Sequence, residues 1–99
     1  MSRNGIKREL LFEFDRVKSK ANLDKHSIDF VTAQLLWLDE DLAKTTARSE
    51  TEPRVQIIGT INAKHWTAFY THRGNYIRIF SVRRARENEV AFYEIKKHE

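Results

Sequence analysis

The sequence predicts an α+β fold, in which an antiparallel sheet of three to five strands carries two N-terminal helices and a C-terminal helix. Two helical patterns lie before residue 40, three strand patterns with short connections occupy 54–83, and a last helical pattern follows. Strands joined by short turns pair antiparallel, and amphipathic helices must bury their apolar sides against such a sheet. With 40% hydrophobic and 32% charged residues among its 99, the chain is expected to be one folded domain over residues 1–99.

The first elements are a short strand and a capped helix. Alternating apolar residues predict a strand within 10–14, and Asp15 is a suitable N-cap for a helix over 16–25. Val17 and Ala21 are its expected packing side. The other side carries polar residues at positions i, i+4, i+7 and i+8, namely Lys18, Asn22, Lys25 and His26.

A second helix is predicted from Phe30 to Leu38, with Asp29 as its N-cap. It has two apolar stripes, the first formed by Phe30, Ala33 and Trp37 and the second by Val31, Leu35 and Leu38. A helix that is apolar on two sides is either enclosed in the core or covered by a partner. The polar stretch 43–53 predicts a loop, with a possible short edge strand at 42–45.

Three strands are predicted next, over 54–61, 65–71 and 76–83, with a hairpin turn around Gly74 and Asn75. The candidate helix 86–97 closes the chain. Side chains alternate between the two faces of a strand, so apolar partners on one face leave Arg54 and Arg78 together on the other. A bulge near Gly59 would reverse part of this assignment.

Charge is segregated along the chain. From Pro53 to Arg86 there is no Asp or Glu, but there are seven Lys or Arg residues, and because the whole chain carries +4 the remainder is left at about −3. A cationic surface of this kind is typical of proteins that bind polyanions, with RNA or DNA as the first partner to consider.

Several classes of protein are disfavoured. The chain has no cysteine, hence no disulfide framework and no thiolate site, and it has no apolar run of about 20 residues. A cytoplasmic protein with no membrane segment is expected, and residues 1–9, which are polar, are expected to be flexible.

Several motifs together resemble the BrnT family, ribonuclease toxins of type II toxin–antitoxin modules. The resemblance covers about residues 11–94 and rests on ordered segments: Phe12-Glu13-Phe14-Asp15, Lys18, Asn22, Lys25-His26, Arg54 with Ile58-Gly59, Tyr70 to Gly74, Ile77 to Ala85, Glu89 and Tyr93. The chain departs from the family pattern at Ser27, where glycine is usual, and at Pro53 and His72, where acidic residues are common.

The resemblance implies a RelE-like fold and a growth-inhibiting endoribonuclease, a hydrolase that needs no metal or other cofactor. It also implies a hetero-oligomer with a neutralising antitoxin, expected to be a ribbon-helix-helix DNA-binding protein encoded next to the toxin. Such cleavage requires proton transfer and stabilisation of phosphorane charge, for which histidine and arginine are suited. The catalytic candidates are His26 as general acid or base, Lys25 beside it, and Arg54, Arg78 and Arg83. The RNA-binding candidates are Lys18, Arg73, Arg84 and Tyr76.

Other interpretations of these residues stay open. His26 suits a helix C-terminus through the helix dipole, and Lys18 with Lys25 could be a solvated helix face. Arg83 and Arg84 could only keep a strand end soluble. The alternative function is a non-catalytic module that binds nucleic acid or an antitoxin through the basic sheet face.

Overall fold

The computed structural model describes residues 10–47 and 53–99, and these confirm the α+β class. The elements are β1 (Leu11–Glu13), α1 (Arg16–His26), α2 (Phe30–Ala33), a 3₁₀ segment (Gln34–Leu38), β2 (Ala43–Ala47), β3 (Arg54–Ile61), β4 (Lys64–Arg73), β5 (Tyr76–Arg84) and α3 (Glu87–Lys97). The expectation for residues 1–9 lies outside the described residues. Within the described ranges, no helix is long and apolar enough to cross a membrane.

The strands form one sheet in the order β1-β5-β4-β3-β2. Strands β2 to β5 pair antiparallel, as predicted, and the possible edge strand is β2. The prediction of a wholly antiparallel sheet is wrong, because β1 runs parallel to β5. Glu13 and Arg78, which are paired across these two strands, lie 65 residues apart, so no tight turn forces the strands to run in opposite directions.

The main core lies between one face of the sheet and the segment that contains α2 and the 3₁₀ turns. The strands supply Val55, Ile57, Ala68, Tyr70, Ile77, Ile79 and Val82 to this core. The alternation predicted for β3 and β5 is therefore confirmed up to Ile79. The register shifts between Phe69 and Tyr70, and not near Gly59, and this irregularity brings Val82 onto the core face as well.

The prediction of one continuous α-helix over 30–38 is wrong. Only one α-helical turn forms before the 3₁₀ segment, and in a 3₁₀ helix residues at i and i+3 lie on one line. Ala33 and Leu36 are therefore fully buried over the sheet, and Trp37 is only partly buried. The second apolar stripe, formed by Val31, Leu35 and Leu38, is exposed.

The packing side of α1 is polar, contrary to the prediction from Val17 and Ala21. Val17 is 78% exposed, whereas Ser19 and Asn22 are buried. The Asn22 carboxamide accepts a hydrogen bond from the Val82 N–H at 3.2 Å and donates one to the Val82 carbonyl at 2.9 Å. β1 pairs with β5 only as far as Arg78, so Asn22 satisfies the backbone of β5 where no strand lies beside it.

Ser27 is the C-cap that follows the last residue of helix α1, and it adopts a left-handed conformation with φ 65° and ψ 23°. Its backbone N–H bonds to the Leu23 carbonyl, so the capping geometry is the one that glycine serves best. Ser27→Gly should therefore raise the free energy of unfolding by roughly 0.5–1 kcal/mol, because it relieves the left-handed strain of a side chain. Urea denaturation followed by circular dichroism would measure the change.

Ala91→Gly is the matched control, because Ala91 is exposed in the middle of α3, where glycine costs about 1 kcal/mol. The urea denaturation midpoint should therefore rise for Ser27→Gly and fall for Ala91→Gly. A lower midpoint for Ser27→Gly would contradict the assigned role of the left-handed cap.

Candidate functional site

The face of the sheet opposite α2 carries an alternation of arginine and phenylalanine side chains. We call it the arginine face and define it by Arg54, Phe69, Arg78, Phe80 and Arg83. All five side chains are partly buried, with the remainder open to solvent. Helix α3 lies over the β2 and β3 end of this side of the sheet, where Tyr93 packs on Ala43 and Ile58. The predicted placement of Arg54 and Arg78 on one face is confirmed.

Four side chains of this face form a row of contacts, in the order Arg54, Phe80, Phe69 and Arg83. The Arg54 guanidinium lies 4.5 Å from the centroid of the Phe80 ring, and the Arg83 guanidinium lies 5.6 Å from that of Phe69. The two rings are 6.4 Å apart and tilted by 35°. Each cation–π contact contributes about 0.5–1 kcal/mol at a partly exposed site and favours a guanidinium position over the ring.

Arg83 is held by a buried carboxylate. Both of its terminal nitrogens donate to Glu89 at 2.8 Å, and Glu89 is only 7% exposed. Glu89 also accepts bonds from the side chains of Thr67 and Gln56 and from the Arg86 N–H. Burial alone raises the pKa of the Glu89 carboxyl, but the bonds from Arg83, the Arg86 backbone and Thr67 outweigh it and lower the pKa to about 2.

Arg78 also has a carboxylate partner, because β1 lies beside β5. Its guanidinium donates to Glu13 at 3.0 Å, and both side chains are about one-third exposed. A partly exposed pair of this kind is weak, so an anionic ligand can compete for Arg78 at small cost.

Arg54 differs from the other two arginines. Its Nε is buried and has no hydrogen-bond partner among the described residues. No carboxylate in the described ranges lies within ion-pair distance of its guanidinium. The buried Nε itself is out of reach of a ligand, so an anion would bind the terminal nitrogens of this guanidinium, which have no carboxylate partner among the described residues. Arg54 is therefore the group of this face best placed to bind an anion.

The other sequence-predicted residues divide into two groups. Arg73 and Tyr76 face each other across the β4–β5 hairpin, and alternation along β5 places Tyr76 on the same face as Arg78. Arg84 points to the opposite face, where its guanidinium lies 5.3 Å from the Trp66 ring. The structure thus brings Arg73 and Tyr76 to the arginine face and separates Arg84 from Arg83.

The remaining candidates lie on α1, at the β5 edge of the sheet. Lys18 and Lys25 are exposed and His26 is half-buried, one helical turn after Asn22. Within the described ranges, no hydrogen bond joins Lys25 or His26 to an arginine of the arginine face. The hydrogen bonds between Asn22 and the Val82 backbone hold α1 against β5 one residue before Arg83.

A second buried network fixes α3 over the sheet. Asp39 accepts hydrogen bonds from the Tyr93 hydroxyl at 2.7 Å and from the backbone and side chain of Thr60. Burial raises the pKa of the Asp39 carboxyl, but these bonds and one from the Asp41 N–H lower it below its usual value. Burial and the bond to Asp39 raise the pKa of Tyr93 to about 12.

Sequence reasoning missed three residues of the site, namely Glu13, Glu89 and Phe80. Glu13 and Glu89 lie outside the stretch 53–86 that contains no Asp or Glu, but they pair with arginines inside it, so those cations have acidic partners in space. Phe80 could have been predicted, because it lies two residues after Arg78 in the same strand and alternation puts both side chains on one face. Of the aromatic residues in β4, Phe69 is partly exposed on this face, whereas Trp66 and Tyr70 are buried in the core.

No group of three or more His, Cys, Asp or Glu residues that could hold a metal ion occurs in the part of the chain that the structure describes. Residues 14–89 match the family model described as the ribonuclease toxin BrnT of type II toxin–antitoxin systems. This range covers well over half of the chain and includes every arginine of the arginine face together with Glu89. No curated protein matches the chain.

Proposed function

The chain belongs to the BrnT family of ribonuclease toxins from type II toxin–antitoxin systems, and we propose that it cleaves RNA without a metal ion on the arginine face. The observation that carries this proposal is the half-buried guanidinium of Arg54, which lies 4.5 Å from the Phe80 ring centroid and has no carboxylate partner among the described residues. Through its terminal nitrogens an arginine binds two phosphate oxygens at once and stabilises the charge that develops on a phosphorane.

The proposed roles of the other residues follow from their positions. Arg78 exchanges Glu13 for a phosphate, and Arg83 stays paired with Glu89 and orients the Phe69 ring. His26 transfers the proton of the 2′-hydroxyl or of the leaving oxygen, with Lys25 beside it. Arg73 and Tyr76 extend the RNA path along the hairpin, and Lys18 and Arg84 bind backbone phosphates outside the reacting nucleotides. We further propose that the fold is RelE-like.

A cognate antitoxin is proposed to neutralise the toxin by covering the arginine face. Its acidic or strand-like segment would compete with RNA for Arg54 and Arg78, and we expect its DNA-binding part to be a ribbon-helix-helix. The exposed stripe of Val31, Leu35 and Leu38 offers an apolar surface for the remainder of the contact.

The test is cleavage of a labelled RNA by the purified chain in excess EDTA. The expected result is product in EDTA at a rate equal to that in Mg²⁺, and a loss of roughly 10²–10⁴-fold for His26→Gln. Lys20→Gln is the control, since Lys20 lies on α1 but pairs with Asp24. Cleavage only in Mg²⁺ would contradict metal independence, and equal rates for His26→Gln and the parent would remove His26 from the mechanism.

The second candidate is a non-catalytic module that binds nucleic acid or the antitoxin through the same face. One observation favours it: two of the three arginines already have carboxylate partners, and His26 has no hydrogen bond to any of them among the described residues. It predicts salt-sensitive RNA binding with no product at any enzyme excess.

A further inference from the structure

A separate recess opens on the same side of the sheet, between β2, β3 and the first turns of α3. Its volume is about 330 Å³, which is at the lower end of the range for small-molecule sites and sufficient for one nucleobase. Its lining combines amide, hydroxyl and apolar groups, namely Thr45, Gln56, Ile58, Asn88, Glu89 and Phe92. None of the roles described above uses Thr45, Asn88 or Phe92.

The hydrogen-bonding groups of this recess are held in defined positions. The Gln56 amide nitrogen donates to Glu89 at 2.9 Å, which fixes the orientation of its carboxamide. Among the described residues its carbonyl oxygen and second N–H have no partner, so both can bond a ligand. Asn88 is exposed at the start of α3 and makes no hydrogen bond within the described ranges, so a second carboxamide is also available. Both present a donor beside an acceptor.

The apolar part of the recess complements these amides. Ile58 is buried at its floor, and Phe92 is half-buried at its side. An unstacked base is recognised in proteins by stacking on an aromatic ring and by hydrogen bonds to its edge. The recess offers both, with the exposed Lys96 ammonium, 5.9 Å from the Phe92 ring centroid, as the group that a stacked base would displace. The Glu89 carboxylate, already occupied by Arg83, Thr67 and Gln56, leaves little free negative charge to repel a nucleotide.

The recess adjoins the arginine face along β3. Gln56 and Arg54 are two residues apart on one side of the strand, which is a separation of about 7 Å. One RNA strand can therefore place a phosphate on Arg54 and the base of a neighbouring nucleotide in the recess. We propose that this recess binds a nucleobase next to the phosphate held by Arg54, and that Thr45 and Asn88 set the base preference of the enzyme. The proposal rests on RNA being the substrate, as proposed above.

The test measures base discrimination without cleavage. Four short RNAs that differ in one base, with 2′-O-methyl groups throughout, are titrated against the purified chain by fluorescence anisotropy. The parent chain should bind the best RNA at least tenfold more tightly than the worst. Asn88→Ala and Thr45→Val should each reduce that ratio below threefold, with affinity for the worst RNA changed by less than threefold.

Thr46→Val is the matched control, because Thr46 is exposed on the same strand but faces the other side of the sheet. It should keep the parent ratio. The proposal would be overturned if the parent chain bound all four RNAs equally, or if Asn88→Ala and Thr45→Val both kept the parent ratio of affinities. Base-dependent binding without cleavage of unmodified RNA would refute the catalytic function alone, whereas cleavage at unchanged sequences in both variants would refute the recess alone.

Discussion

Arg54→Ala is expected to lower the rate of RNA cleavage by roughly 10²–10³-fold while the fold is retained, as for the loss of one preorganised donor to a developing negative charge. Arg54 is the arginine of the face whose Nε has no partner among the described residues, and Phe80 holds its guanidinium in place. Initial rates on a labelled RNA would measure the loss, and urea denaturation should show a change in unfolding free energy within about 1 kcal/mol.

Two further variants separate geometry from charge. Arg54→Lys keeps the positive charge but cannot bind two phosphate oxygens in one plane, so at least a tenfold loss is expected. Arg16→Ala removes an exposed arginine from α1, away from the arginine face, and should change the rate less than threefold. If Arg54→Ala and Arg16→Ala lower the rate equally, general charge attraction explains the effect and the assignment of Arg54 fails.

Glu89→Gln should produce the largest loss of stability, about 3–5 kcal/mol, because it leaves Arg83 without its buried carboxylate. The same carboxylate also accepts bonds from Thr67, Gln56 and the Arg86 N–H, which together hold α3 on the sheet. Equilibrium urea denaturation at pH 7 would measure the change. Glu94→Gln on the same helix is the control, with an expected change within about 0.5–1 kcal/mol, because Glu94 is 44% exposed.

The pH dependence of stability has a definite sign. The folded pKa of Glu89 is about 2 and its ordinary value is 4.5, so the unfolded chain binds the proton more tightly. The contribution of Glu89 is therefore complete above about pH 4.5 and is lost as the pH falls toward 2. Between about pH 4.5 and 2, the free energy of unfolding of the parent chain should fall more steeply than that of Glu89→Gln. Parallel curves for the two proteins would contradict the lowered pKa.

Local structure was predictable where one residue type decides it. Asp15 and Asp29 cap their helices as expected, because a carboxylate accepts the free N–H groups of a first turn wherever the rest of the chain lies. The bounds of β3 and the shared face of Arg54 and Arg78 follow from alternation alone. The BrnT resemblance, carried by the same segments, is confirmed over residues 14–89.

Predictions failed where a contact with a distant segment decided the outcome. The apolar residue Val17 predicts the packing side of α1, yet that side is formed by Ser19 and Asn22. Both meet backbone polar groups: Asn22 bonds the unpaired stretch of β5 at Val82, and Ser19 accepts a bond from the Phe30 N–H of α2. The second helix tightens to 3₁₀ geometry so that Leu36 and Asp39 reach the sheet, where Asp39 bonds Thr60 and Tyr93.

The sequence by itself determined the class of fold, the family and the shared strand face of Arg54 and Arg78, because these depend on periodicity and on the order of short motifs. The irregularity after Ile79, which places Arg83 and not Arg84 on that face, came only from the tertiary structure. Only the tertiary structure decided which of those cations are available to a ligand. Arginines that are far from acidic residues along the chain are close to them in space. Glu13 lies beside Arg78 on a parallel strand, and Glu89 on α3 lies beside Arg83. Both carboxylates lie outside residues 53–86, and among the described residues they leave Arg54 as the arginine of this face without a carboxylate partner.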